Sequence, residues 1–358
     1  MTKTLRVLVA VLGILATACG GGGGAGGGTS SSPTQAAASP TTTPRPCCTK
    51  VVAAYSNISA DNWIAWYAFE KGTFKENGLD VDLQSISGGA QTSAALLANA
   101  VQIAQFGGAE ALSANAGGAD LVVVANLAPV YPYKLYAQKD IKTLADLKNK
   151  KPIAKVGVSN AGGSSDIATR AALIAAGIDP DKDVAIVAVG SHTVRTQQLL
   201  LGATTPGAGI DAGVDDPPED LELVKAGLSV ILDLASQKLP AANTGVIMQR
   251  TYLNANKDTV QAYVDSLTIA RVKMKADKAG AVAVLGKYFK LDNQDALNGA
   301  YDFFMNEVTV PYLFPEVAQF KDAVAILGKT NEKIKTVDIA KMIDRTFMQS
   351  AQDRKLGG

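Results

Sequence analysis

Residues 87–126, SGGAQTSAALLANAVQIAQFGGAEALSANAGGADLVVVAN, decide the fold. The stretch reads as a helix over 91–100, a short strand over 101–106, a helix over 109–116 and the strand DLVVVANL. Alternation at this spacing predicts mostly parallel sheets with helices on both faces. Ser87-Gly88-Gly89 and Gly107-Gly108 stand where the two helices begin. Glycine at a helix start marks a place where something approaches the backbone closely. The stretch has no His and no Cys, so nucleophilic or metal chemistry is not written into it.

The pattern continues on both sides. KVVAAYS (50–56) reads as a buried strand, DNWIAWYAFEKGTF (61–74) has helical spacing and LDVDLQSI (79–86) alternates. Downstream, KVGVSNAGGSSDIATRAALIAAG (155–177), DVAIVAVG (183–190), a helix over 194–201 and IDAGVDD (210–216) repeat the style. TGVIMQ (244–249) then leads into long amphipathic helices, NKDTVQAYVDSLTIARVKMKADKAGAVAVLGKYF (256–289) and onward. In open α/β sheets ligands sit beyond the carboxyl ends of the strands, against helix N-termini. Three loops occupy that position: 87–89, 107–108 and Gly162-Gly163-Ser164-Ser165. Any one of them is also what a plain strand-to-helix turn requires. Three in the same context point to binding edges.

A chain of 358 residues implies one large domain or two ordinary ones. A net charge of +1 gives no electrostatic reason to expect nucleic acid. Beyond residue 20 no apolar run is long enough to span a membrane. The N-terminus differs in kind. Lys3 and Arg6 precede an apolar run (7–15) and Leu15-Ala16-Thr17-Ala18-Cys19, which resembles a bacterial lipobox. Residues 1–19 therefore read as a lipoprotein signal, with Cys19 the lipid attachment site. Residues 20–49, rich in Gly, Ser, Thr and Pro, read as a disordered tether. Together they predict an exported protein held at the cell membrane. Adjacent cysteines pair only through a strained ring, so Cys47 and Cys48 read as two separate thiols. The sole histidine, His192, has no neighbours at metal-ligand spacing, and no cofactor or metal is expected.

FEKGTFKENGLDVDLQSISGGAQTSAALLANAVQIAQFGGAEAL (69–112) resembles the substrate-binding proteins of bacterial nitrate, taurine, alkanesulfonate and thiamine-pyrimidine importers. Gly72-Thr73-Phe74, Gly78-Leu79-Asp80-Val81 and residues 96–104 carry the resemblance, with Asn99 and Gln102 in place of the usual Gly and Asp. KTLADLKNKKPIAKVGVSNAGG, GIDAGVDDPPEDLELVKAG and VDIAKMIDRTFMQSA extend it to about residues 50–350, the last resembling a C-terminal helix. The resemblance implies a type 2 periplasmic-binding-protein fold of two α/β lobes that close on a ligand about two crossovers. These fall near 129–139 and 240–245. Lobe 1 would comprise 50–132 and 244–358, and lobe 2 would comprise 133–243. The conformation of LGATTPGAGI (201–210) stays open.

The resemblance nominates residues in both lobes. In lobe 1 these are Tyr55, Ser56 and Asn57 after the first strand, and Trp63 at the cleft mouth. Ser87, Gly88 and Gln91 follow at one helix start, and Gly108, Ala109 and Glu110 at the next. Trp66 reads as core, and Glu110 serves equally well as a first-turn carboxylate. In lobe 2, Gly163, Ser164 and Ser165 make an anion-cradling helix start, for which the plainer reading of Asp166 is an acidic first turn. Arg195 would pair with a carboxylate or sulfonate, against the plainer reading of a solvated cation. Asp215 and Asp216 would meet an ammonium or ring N–H, against the plainer reading of a cap. Tyr55, Trp63 and Tyr131 would suit a planar ring.

The expected function is a monomeric, lipid-anchored solute receptor delivering a small organic anion, a sulfonate foremost, to an ABC permease. A receptor for a thiamine-precursor pyrimidine is the alternative ligand reading. An enzyme on the same fold and a sensing subunit are the other classes, and fold alone does not separate them. His192 has no Ser or Cys partner at a recognised spacing, which argues against catalysis.

Overall fold

The computed structural model describes residues 48–358. The signal segment with Cys19, the tether up to Cys47 and the pairing of Cys47 with Cys48 lie outside the described residues.

Among the described residues, ten strands form two five-stranded sheets. The first has the order β2-β1-β3-β10-β4, from β1 (Thr49–Tyr55), β2 (Leu79–Ser85), β3 (Ile103–Phe106), β4 (Leu121–Val130) and β10 (Pro240–Gln249). The second has the order β7-β6-β8-β5-β9, from β5 (Lys134–Ala137), β6 (Lys155–Val158), β7 (Ala185–Ala188), β8 (Ala212–Asp215) and β9 (Ser229–Asp233). In each sheet four strands share a direction and one runs against them, β10 in the first and β5 in the second. The opposed strands are the ones that enter a sheet from the other sheet. The two crossovers therefore lie side by side, Pro240 pairing with Val130.

β4 is buried along eight of its ten residues, and β-branched Val122, Val123 and Val124 fill both its faces. One face of the first sheet packs with Trp63, Trp66 and the long helix Lys257–Ala276. Its other face, through Ala104, Val123 and Ile247, joins a core that continues into Leu135, Val156 and Ile167 beside the second sheet. The helix Lys321–Leu327 packs against both Gly108–Ala116 and Ser164–Ala175, so the C-terminal region touches elements of both sheets.

The structure adds to or changes the sequence reading at four places. β5 and β9 go beyond the sequence reading: β5 falls within 129–139, assigned to a crossover, and β9 is a short apolar run that a helix or a strand fits equally. The segment 256–289 is two helices, Lys257–Ala276 and Lys278–Phe289, broken where Asp277 caps the second by accepting from Gly280 N–H. The C-terminal segment is not one helix. Asp338 caps the short helix Ile339–Met342, Ile343 bridges to Val123, and the helix resumes at Thr346–Asp353. In 201–210 the helix His192–Thr204 runs on to Thr204, and Gly209 turns back at φ +65° against the Gln198 carbonyl, where a side chain would collide.

Candidate site between the two sheets

The carboxyl ends of β1, β3 and β6 point into one narrow cavity of about 40 Å³, lined mainly by polar groups. That volume holds a few waters or a few ligand atoms, and is far below the roughly 300 Å³ or more of an open ligand pocket. The cleft is closed by hydrogen bonds between its walls. Ser59 Oγ donates to Asp216 Oδ2 at 3.3 Å, and Ser164 Oγ donates to the Asn243 carbonyl at 2.9 Å.

Glu110 explains the glycines. Its carboxylate reaches from the first turn of Gly108–Ala116 to the start of Ser164–Ala175, where the Ser164 backbone N–H donates to it. A Cβ at Gly89 would stand 2.3 Å from Glu110 Oε1, one at Gly163 2.7 Å from the same atom, and one at Gly107 2.1 Å from Oε2. All three helix starts thus leave room for the protein's own carboxylate. Burial lifts the Glu110 carboxyl from 4.5 to about 7, against the opposing pull of the backbone N–H donors. Oε2 has no hydrogen-bond partner.

Arg195 is the cavity's cation with donors to spare. It is 1% exposed on the helix His192–Thr204, whose cap, Ser191, accepts from Val194 N–H. Nη1 donates to Ser159 Oγ at 2.7 Å and the guanidinium lies 5.9 Å from the Tyr133 ring centre. Nε and Nη2 have no partner at all. A buried donor left unpaired costs about 1–3 kcal/mol, more for a charged group, so two on one guanidinium mark a place prepared for an acceptor.

Acids line the opposite side. Asp61 accepts from Asn243 Nδ2 at 3.1 Å, from Asn62 Nδ2 at 3.0 Å and from Thr244 Oγ1. Burial nonetheless raises its pKa above the ordinary carboxylate value. His192 Nε2 contacts Asp215 Oδ1 at 2.5 Å. Burial alone would lower the imidazole, but Glu219, Asp215 and Asp216 outweigh it and raise it to about 10.

Of the nominated residues, Ser56, Asn57, Glu110, Gly163, Ser164, Ser165 and Arg195 line the cavity. The others lie elsewhere. Tyr55 packs edge-on to Trp66 at 5.4 Å, and Trp63 is 1% exposed with Nε1 donating to the Ala281 carbonyl; both are lobe-core aromatics turned toward the C-terminal helices. Trp66 is core, stacked on Tyr288 at 4.4 Å. Ser87 and Gln91 are exposed and Gly88 (φ +96°) turns the backbone, leaving Gly89 to face the cavity. Gly108 is required by packing, since a Cβ there would meet Ala242 at 2.4 Å. Ala109 and Tyr131 line a separate small void, with the Tyr131 hydroxyl donating to Asp322 at 3.1 Å. Asp166 serves the helix start, accepting from Gly162 N–H and from Arg170. Asp215 and Asp216 are fully buried behind His192, which is their cation in place of a ligand's.

Sequence reasoning missed Ser59, Asp61, Tyr133, Ser159, Asn160, Asn243 and Thr244, and set His192 aside. Asn243 and Thr244 sit on β10, and only the antiparallel return of that strand brings them to Asp61. The one available signal was position, since Ser159-Asn160 directly follows β6.

The sequence family described as "NMT1/THI5 like" matches residues 61–270. YtlA of Bacillus subtilis (strain 168) is 26% identical over 223 residues, which cover 61% of this chain and 64% of YtlA, just under two thirds of that relative's length. The alkanesulfonate-binding protein SsuA of Xanthomonas axonopodis pv. citri, bound to MOPS, superposes with a TM-score of 0.66 at 17% identity, covering 83% of this chain and 98% of its own. The periplasmic nitrate-binding protein NrtA of Synechocystis PCC 6803 gives 0.66 at 15% identity, with coverages of 86% and 89%. The structural likenesses establish the two-lobed periplasmic-binding-protein fold. With the family match running over more than half its length, the chain belongs to the NMT1/THI5-like family.

Proposed function

We propose that this protein is the solute-binding component of an ABC importer, and that it captures a small organic anion between two lobes. The observation that carries the reading is Arg195, buried in the cleft with two N–H groups unpaired. A planar guanidinium offering two donors suits a carboxylate or sulfonate, which accepts at two oxygens. The names of the related SsuA and NrtA point the same way, toward ligands that are oxyanions. Asn57 Oδ1 and Glu110 Oε2 are acceptors without partners, so the ligand also carries an O–H or N–H donor. Asp61 and Glu110 support the second reading, a neutral nitrogen heterocycle held by acids.

Lobes built on the first sheet (48–130 with 240–358) and on the second (134–233), rather than divided at 132 and 243, would move about the paired crossovers at 130–134 and 233–240 to admit the ligand. Thermal unfolding with a panel of short alkanesulfonates, carboxylates and their uncharged amide counterparts tests the reading. At a hundredfold excess over Kd a true ligand stabilises by about 2.7 kcal/mol. Stabilisation by the amides and not by the anions would defeat it.

Residues 1–49 support export and membrane attachment through Cys19, and the receptor reading adds delivery of the ligand to a permease by a monomer. Cells expressing the full chain should incorporate palmitate into it, and Cys19→Ser should abolish the label. Persistent labelling in that variant would refute the anchor.

A further inference from the structure

We propose that His192, Asp215 and Glu219 form a binding site for a divalent transition-metal ion of zinc type in the wall of the cavity. One donor atom from each lies within 4.8 Å of the other two. Three carboxylate oxygens converge on a single nitrogen, His192 Nε2: Asp215 Oδ1 at 2.5 Å, Glu219 Oε2 at 3.1 Å and Asp216 Oδ1 at 3.4 Å. That nitrogen carries at most one hydrogen and so serves one acceptor. Asp215 takes it, and Asp216 Oδ1 and Glu219 Oε2 remain buried without any hydrogen-bond partner. Asp216 is 0% exposed, so no solvent supplies what the imidazole lacks.

A cation at the point where these atoms converge satisfies them together. One imidazole with carboxylates is a donor set that zinc accepts, with bonds of about 2.0–2.2 Å to nitrogen and oxygen. Glu219 Oε2 and Asp216 Oδ1, at 3.1 and 3.4 Å from Nε2, already stand about as far off as two such bonds require, and Asp215 Oδ1, at 2.5 Å, has to draw back by less than about 1 Å. Asp216 Oδ1 is the nearest fourth donor. The ligand Asp215 is already oriented, its other oxygen accepting from Thr196 Oγ1 at 2.7 Å, the kind of outer contact that fixes a metal-binding carboxylate. His192 borders the cavity, which gives the ion a way in. The three residues are separated in sequence by 23 and four positions, which hides them from any motif. On binding, the metal replaces the Nε2 proton, which leaves to solvent.

The full chain, stripped with EDTA and titrated with zinc chloride in a calorimeter, should bind one equivalent. Cobalt(II) chloride should produce the intense visible bands of a low-coordinate site. His192→Gln should remove both signals. Glu219→Gln, at a partly exposed position that tolerates change, should weaken zinc by more than about tenfold. Asp292→Asn, an exposed carboxylate elsewhere, should change nothing. Absence of stoichiometric binding in the unaltered chain would overturn the proposal. So would zinc binding as tightly after Glu219→Gln, whether or not His192→Gln folds. None of these readouts involves the organic anion, so the proposal and the receptor reading stand or fall separately.

Discussion

Arg195→Met should weaken binding of the anionic ligand by about a hundredfold or more, which corresponds to roughly 3 kcal/mol. The wild-type guanidinium has two N–H groups with no protein acceptor, and the ligand is what satisfies them. Met keeps the apolar stem of the side chain as far as the position of Nε, so it still fills much of the wall while removing every donor and the guanidinium that faces Tyr133. Arg195→Lys should recover only a part of the loss. An ammonium restores the charge but not the planar fork that meets two oxygens at once. Calorimetric titration of all three proteins with the tightest anion of the panel checks this. Binding by a folded Arg195→Met variant within a factor of a few of wild type would remove Arg195 from the site.

The second large effect is on stability against pH. The Glu110 carboxyl sits at about 7 in the folded protein, while its unfolded value is 4.5. Below pH 4.5 both states are protonated and the group contributes its full stabilisation relative to the charged form. Between 4.5 and 7 only the folded state holds the proton, so stability falls as pH rises through this window. Above 7 both states are ionised and the slope from this group vanishes. The swing is roughly 3 kcal/mol at most, from 2.5 pH units at about 1.4 kcal/mol each. Glu110→Gln should flatten that segment of the stability curve, since the amide stays neutral throughout. Chemical denaturation of both proteins at closely spaced pH values measures it. An unchanged slope in the variant would show that Glu110 is not the group buried between the three helix starts.

The sequence showed most of the frame and about half of the site. Strands such as VVAAY and LVVVAN are apolar, β-branched and bounded by turn residues, and these local features suffice to find them. β5 escaped because it lies in the Pro-containing stretch 129–139 that was assigned to a crossover, and β9 because a short apolar run fits a helix or a strand equally. The glycine loops were legible as places of close approach, yet what approaches is Glu110 from the same chain, a long-range contact that no spacing encodes. Asp61 and Asn243 stand 182 positions apart and meet only because β10 returns antiparallel into the first sheet. Tyr55 and Trp63 misled for a related reason. Aromatic residues near a strand end suit a ligand and a core equally, and the C-terminal helices that bury them come two hundred residues later.

Native mass spectrometry of the gently purified full chain, beside Arg195→Met, tests the central claim most directly. The account predicts that the wild-type protein carries one small adduct whose fragments identify an organic carboxylate or sulfonate, and that the variant carries none. A neutral or cationic heterocycle on the wild-type protein, or the same adduct retained at the same occupancy by Arg195→Met, would contradict it.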